Sequence, residues 1–269
     1  MHKNIEIKNI EKSYGEFQIL DNFNLTIPRD KIMCIVGSSG CGKSTILNIV
    51  SGLVKPDSGD ISNIDDKLIS YVFQEPRLLL WKSAKDNLKY VLKGKIDEKN
   101  LDEYVEDWLD NVGLSDYKDF YPRQMSGGMM QRLALARAFA MPSNLLLMDE
   151  PFKGLDAPLR HKMIELLQRL WENDKKTIIF VTHDIQEALL IGHRVVALSG
   201  RPAEVLDNIK LNMPIKDRKI GCTKLNRIQG TLYELIEKGS LGVNNCKIKD
   251  KYCPPIGFDT INKNMFNYH

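Results

Sequence analysis

The run Gly37-Ser38-Ser39-Gly40-Cys41-Gly42-Lys43-Ser44 fits the pattern G-x-x-x-x-G-K-[ST] at every fixed position. Glycines at those places let consecutive backbone N–H groups turn inward around phosphate oxygens. The lysine ammonium then reaches the terminal phosphates, and the serine hydroxyl is a ligand for Mg2+. The surroundings suit that chemistry. An unbroken apolar run, Ile32-Met33-Cys34-Ile35-Val36, precedes the loop, and a helix-like stretch, 43–53, follows it. A helix N-terminus behind the turn carries a partial positive charge that favours an anion. A plain glycine-rich turn would need neither the lysine nor that placement.

A second apolar run, Leu145-Leu146-Leu147-Met148, ends in Asp149-Glu150-Pro151. Acids at the carboxyl edge of a buried strand stand where α/β sheets bind ligands. The phosphate loop upstream favours that reading over a helix cap or a solvated turn. Asp149 is expected to hold Mg2+, and Glu150 to polarise an attacking water as general base. His183 closes a third run, Thr177-Ile178-Ile179-Phe180-Val181-Thr182. The residues alone leave it open between a satisfied polar side chain and a donor to a γ-phosphate. Asp184 and Glu187 have the pattern of a capping box. In Met125-Ser126-Gly127-Gly128-Met129-Met130-Gln131-Arg132 the serine and glycines can cap a helix and aim its amides at an anion. An ordinary serine cap is the alternative. One copy of the chain has no evident way to share a phosphate between this segment and the loop; two copies packed head to tail do.

Positioning these groups calls for strand, turn and helix in repetition, hence an α/β core with a mostly parallel sheet. Ahead of it, residues 5–27 alternate apolar and polar positions, with turn chemistry at Ser13-Tyr14-Gly15, as in a short antiparallel sheet. Between about 75 and 140 the pattern is helical. Leu101, Tyr104, Val105, Trp108, Leu109 and Val112 share one face, and Gly113 stands where a C-terminal cap belongs. This stretch is expected to be a helical lobe inserted into a domain spanning 1–206. Residues 207–269 are expected to add one amphipathic helix (Leu225, Ile228, Leu232, Leu235, Ile236) and a loop-like tail from Ser240.

Over 269 residues the formal net charge is +3, too weak a bias to indicate nucleic acid as a partner. No apolar run approaches the roughly 18 residues of a membrane helix, and the start lacks the apolar segment of a signal peptide. A cytoplasmic chain is expected. Cysteines at 34, 41, 222, 246 and 253 show no metal-ligand spacing and are expected as reduced thiols.

From about residue 5 to 206, these motifs together resemble the ATP-binding-cassette family, the nucleotide-binding subunits of membrane transporters. The resemblance implies a P-loop NTPase core, an N-terminal antiparallel β subdomain and an inserted α-helical subdomain, with ATP and Mg2+ bound. It puts Tyr14 on the adenine, and Gly37, Ser38, Ser39, Gly40, Cys41, Gly42, Lys43, Ser44 and Thr45 around the phosphates. Gln74, in Tyr71-Val72-Phe73-Gln74-Glu75-Pro76, matches the glutamine that senses Mg2+ and the γ-phosphate. Ser126, Gly127 and Gly128 match the signature that closes on ATP held by a second copy. Asp149 and Glu150 match the metal-binding acid and the catalytic base, and His183 the switch histidine. Gly154-Leu155-Asp156 resembles the loop that contacts across the dimer. Asp156 also suits the N-cap of a helix containing Pro158.

Implied partners are a second copy, integral membrane permease subunits and a solute-binding protein, with the chain peripheral on the cytoplasmic side of the cell membrane. Some positions depart from the family pattern. Met129 replaces the signature glutamine and Met125 the leucine before Ser126, yet Ser126 and the backbone amides remain, so activity is expected to survive. Lys153 sets a charge beside the dimer-contact loop. A finer resemblance, to subunits energising uptake of nitrate, sulfonates and taurine, lies in three segments. These are Gln74-Glu75-Pro76-Arg77-Leu78-Leu79-Leu80-Trp81, the pair Pro151-Phe152 followed by Gly154-Leu155-Asp156, and Ser199-Gly200-Arg201-Pro202. Leu80 stands where that group usually has proline, and Trp81 suits a core aromatic of the helical lobe equally well. A soluble cassette ATPase acting on nucleic acid or ribosomes would usually carry two cassettes or a long coiled-coil insertion, and neither is present. A non-hydrolysing partner subunit would not need Lys43, Asp149, Glu150 and His183 intact. Import is the expected direction for a free-standing cassette.

Overall fold

The computed structural model describes residues 3–64 and 69–240. Strands β1 (Ile5–Tyr14) and β2 (Phe17–Ile27) pair as an antiparallel hairpin, as their alternation predicts. Strand β3 (Ile32–Val36), buried at every residue, leads into helix α1 (Lys43–Val50). After β4 (Ser58–Ser62) and β5 (Ile69–Val72) come helices α2 (Ala84–Leu92), α3 (Leu101–Asn111) and α4 (Gly127–Ala140). The chain then runs β6 (Leu145–Asp149), α5 (Ala157–Asn173), β7 (Thr177–Thr182), α6 (Ile185–Ile191) and β8 (Arg194–Leu198). Strand β9 (Val205–Lys210) and helix α7 (Thr223–Ser240) complete it.

The main sheet has the order β5-β6-β7-β3-β8-β9, parallel throughout except for β9 at its edge. Alternation along each strand sorts its side chains to two faces. Met33, Ile35, Leu147, Ile179 and Val181 pack with Ile46 and Leu47 of α1 and with Ile5, Ile7 and Phe23 of the N-terminal sheet. Cys34, Val36, Leu146, Met148 and Phe180 face the other way, into a core shared with α4, α5 and α6. Both faces are therefore covered, which explains why these strands read as unbroken apolar runs. Each fully buried side chain such as Phe180 contributes about 1.5–3 kcal/mol relative to exposure.

The helical stretch is built as its periodicity predicts: Val105 and Leu109 are fully buried, and past Gly113 the Leu114 N–H donates to Leu109 O at 2.7 Å, closing the end of α3. Helix α1 is shorter than the expected 43–53, ending at Val50. Strand β4 carries no apolar alternation to announce it. It forms because β1 offers a free edge, and Gly59 lets the backbones meet: a Cβ there would collide with the Asn9 carbonyl. Strand β9 carries the sheet edge past residue 206, and α7 packs on α6 with Leu225 and Leu232 buried. The expected tail beyond Ser240, with Cys246 and Cys253, lies outside the described residues. No helix among the described residues is long and apolar enough to cross a membrane.

Candidate functional site

Parallel register brings the predicted chemistry to one edge of the sheet. Val72 pairs with Met148, Asp149 with Val181 and Val36 with Thr182. The carboxyl ends of β5, β6, β7 and β3 are thus level, and Gln74, Asp149, Glu150, His183 and Gly37 emerge side by side from them. Loops off this edge are where an α/β sheet receives its ligand.

At the centre is the glycine-rich turn between β3 and α1. Gly42 has φ +112°, and a Cβ there would sit 2.8 Å from Ile19 Cγ2, so only glycine fits. Lys43 is 5% exposed, its Nζ donating to Gly37 O at 2.9 Å and Ser38 O at 2.8 Å. The loop thereby encloses a cation of its own. The Ser44 hydroxyl donates to Asp149 Oδ1 at 3.1 Å, joining two oxygen donors from residues far apart in sequence. Burial pushes the Asp149 carboxyl above its ordinary range and the neighbouring Glu150 adds to this, against the Ser44 bond and Lys43 and Lys153. Partly buried acid beside a hydroxyl is a donor set that favours a hard divalent cation such as Mg2+. Arg201 was predicted for no role at the loop, but its Nε donates to Gly40 O at 2.6 Å.

Glu150 follows with φ +43°, a left-handed conformation uncommon outside glycine, fixed by its N–H donating to Val181 O at 2.9 Å. Its Oε2 lies 2.8 Å from Lys153 Nζ and 3.2 Å from His183 Nδ1. Burial pushes this carboxyl up, but Lys153, His183 and Lys43 together outweigh it and hold the group below its ordinary range. Glu150 is therefore a carboxylate at neutral pH. Tyr14 ends β1 half-exposed, beside the strand whose Ile19 packs on Gly42. Ser126 caps α4, accepting from the Met129 N–H at 3.3 Å. Among the described residues no hydrogen bond links it to residues 37–45. Ser126 and Gly127 are exposed, while Gly128 is pressed against Leu159. Asp156 caps α5 through the Leu159 N–H at 2.8 Å.

The capping box expected at Asp184 and Glu187 forms only in half. Asp184 accepts from the Gln186 and Glu187 N–H groups, but Glu187 turns inward and accepts from Thr182 Oγ1 at 2.7 Å. Thr182, the better partner, is itself held by the Asp184 N–H at 3.0 Å. Arg160 closes the cluster, 2.9 Å from Asp184 and 3.6 Å from Glu187. Burial above all raises the Glu187 pKa from 4.5 to about 7, aided by Asp184 and Glu150 and opposed by Thr182 and Arg160. Folded protein thus keeps this proton up to about pH 7 while the unfolded chain releases it near 4.5, so stability is lost as pH rises between those values. Glu187→Gln, which cannot ionise, is expected to melt higher than wild type at pH 8, by on the order of 2 kcal/mol relative to the difference at pH 4. A melting difference between the two proteins that does not change with pH would refute this.

Trp81 is 73% exposed, on the surface and not in the core of the helical lobe. The segment carrying it is held by Asn87, which accepts from the Leu79 N–H at 2.8 Å and donates to Leu79 O at 3.1 Å and Lys82 O at 3.0 Å.

Comparison with known proteins identifies the family. A family model described as "ABC transporter" matches residues 20–153. The aliphatic sulfonates import ATP-binding protein SsuB of Bacillus cereus is 36% identical over 241 residues, covering 87% of this chain and 94% of that protein. SsuB 1 of Mesorhizobium japonicum is 38% identical over 233 residues, covering 84% and 86%. Among solved structures, a dimer of the ATP-binding cassette MJ0796 in a post-hydrolysis state with ADP and Pi superposes with TM-score 0.67 at 33% identity, covering 78% of this chain and all of that one. The chain belongs to the ABC transporter family, as one of its ATP-binding cassettes.

Proposed function

We propose that this chain hydrolyses ATP to drive import of a small solute, of aliphatic sulfonate type, through a separate membrane permease. The observation that carries the catalytic part is the 3.1 Å contact of Ser44 and Asp149 at the mouth of the phosphate loop, with Glu150 next in sequence. Ser44 and Asp149, with Gln74 beside them, would hold Mg2+, which when bound offsets the negative charge of the phosphates. Backbone N–H groups of residues 37–45 and the Lys43 ammonium bind and orient the phosphates. Glu150 accepts the proton of the attacking water, and His183, whose Nδ1 lies 3.2 Å from Glu150 Oε2, donates to the γ-phosphate. Tyr14 stacks on the base. The exposed cap of α4 completes the site on a second copy, so hydrolysis waits on a head-to-tail dimer, an arrangement consistent with the dimeric MJ0796 relatives.

The sulfonate reading leans on the relatives' names and on the Trp81 and Arg201-Pro202 segments. Exposed Leu80, Trp81 and Tyr90 offer the permease apolar contacts on the helical stretch, and the chain would be peripheral on the cytoplasmic side of the membrane. A solute-binding protein would deliver the substrate. Copurification of the chain with its permease, and ATP turnover of that complex with and without an alkanesulfonate, test the proposal; turnover indifferent to every sulfonate would remove the substrate assignment. Trp81→Ala is expected to reduce permease recovery at least tenfold while shifting Tm by no more than about 2 °C, because the side chain is exposed. Unchanged recovery would take the docking face elsewhere.

A further inference from the structure

Beyond β6 the chain folds back on itself: the Lys153 N–H donates to Glu150 O at 3.1 Å, a turn that carries the lysine side chain over the acid. Lys153 Nζ lies 2.8 Å from Glu150 Oε2, the oxygen that also faces His183 Nδ1 at 3.2 Å. The acid's side chain is 11% exposed and the lysine's 45%, so the pair is sheltered at one end and wet at the other. Shelter strengthens the attraction, while the wet end lets the ammonium leave into water at small cost. Glu150 Oε2 is buried and makes no hydrogen bond, so the ammonium holds it by charge alone; an oxygen covered in this way is not open to a water molecule, and the pair competes with proton abstraction at the same carboxylate.

Its neighbours say what would break it. Glu150 is anchored through its N–H on Val181 O, and Asp156 through its side chain on the Leu159 N–H. Lys153 lies between those anchors, with exposed Gly154 next to it. Anything that packs on residues 153–156 therefore moves the lysine before it moves the acid. We propose that Lys153 is a positioning residue that holds the Glu150 carboxylate in a resting orientation, and that docking of a second copy of this chain on residues 153–156 draws the ammonium away and frees the base. This rests on the reading of Glu150 as general base and on the head-to-tail dimer. In this way the loop that faces the partner reports closure to the group that does the chemistry.

The test uses the full chain with Mg·ATP, comparing wild type, Lys153→Met, Lys153→Arg, Glu150→Gln and the Glu150→Gln/Lys153→Met double variant. Methionine keeps the stem and removes the charge; arginine keeps the charge. Lys153→Met is expected to raise kcat about threefold, the scale of a half-exposed ion pair, with KM unchanged, and Lys153→Arg to return it to wild type. Glu150→Gln is expected to be silent with either residue at 153. Light scattering in Mg2+-free buffer gives a second readout: the ATP concentration that dimerises half the chains should fall about threefold in Lys153→Met. A kcat at or below wild type in Lys153→Met, an arginine variant that behaves like methionine, or an unmoved dimerisation midpoint would each overturn the latch while leaving Glu150 as base. Turnover persisting in Glu150→Gln would instead overturn the base assignment, and the latch with it.

Discussion

Glu150→Gln is expected to lower ATP turnover about a hundredfold to ten-thousandfold while leaving ATP binding within a few fold. Glutamine has the shape of glutamate but cannot take a proton at neutral pH. Glu150 is a carboxylate, held below the ordinary range by Lys153, His183 and Lys43 against its own burial. Its backbone, at φ +43° with the N–H on Val181 O, does not depend on the side-chain charge, so the variant should fold as wild type does. ATP that is bound and not cleaved should hold two copies together, and the variant is expected to elute as a dimer with ATP and as a monomer without it. Single-turnover hydrolysis and size-exclusion chromatography measure the two effects. A variant that hydrolyses within tenfold of wild type would place the base elsewhere, with His183 the next candidate.

Lys43→Ala is expected to weaken ATP binding about a hundredfold and to reduce turnover by at least as much again. The ammonium is almost fully buried and lies within 2.9 Å of two loop carbonyls. Alanine removes the charge that meets the phosphates and leaves Gly37 O and Ser38 O without their donor, a loss of about 1–3 kcal/mol for each carbonyl kept from water. Loop and ligand therefore suffer together. Arginine is not expected to rescue the function, since its planar fork cannot reproduce the point contacts that the buried Lys43 Nζ makes with Gly37 O and Ser38 O. Calorimetric titration with ATP decides the matter, and an affinity within fivefold of wild type would show that the backbone amides suffice.

The three central strands of the main sheet, β3, β6 and β7, and the polar residues that end them were legible because their signals are contiguous. A strand buried on both faces must be apolar at every position, and the residue ending it is the first that can be polar. Ile32–Val36, Leu145–Asp149 and Thr177–Thr182 each state strand, burial and site in a handful of letters. The N-caps at Ser126 and Asp156 were legible for the same reason, as a cap reaches only three residues forward. Strand β4 was not, because its pairing depends on the vacant edge of β1 and on Gly59 meeting Asn9, and nothing within Ser58–Ser62 records either.

Sequence alone determined a phosphate loop, two acids at a strand end and a capped glycine-rich helix through short-range geometry, while the roles of His183 and of the signature rested on the family resemblance. Tertiary structure decided how those groups are restrained. Arg201 reaches Gly40 across 161 residues of chain, Glu187 leaves its capping box for Thr182, and Trp81 comes to the surface instead of the core. Periodicity says which positions are apolar, but not which of two hydrogen-bond partners wins or where an aromatic ends up. Lys153 shows the limit most clearly. It stands three residues from Glu150, yet only the left-handed turn at the acid, made by its bond to Val181 on the neighbouring strand, brings the two charges together.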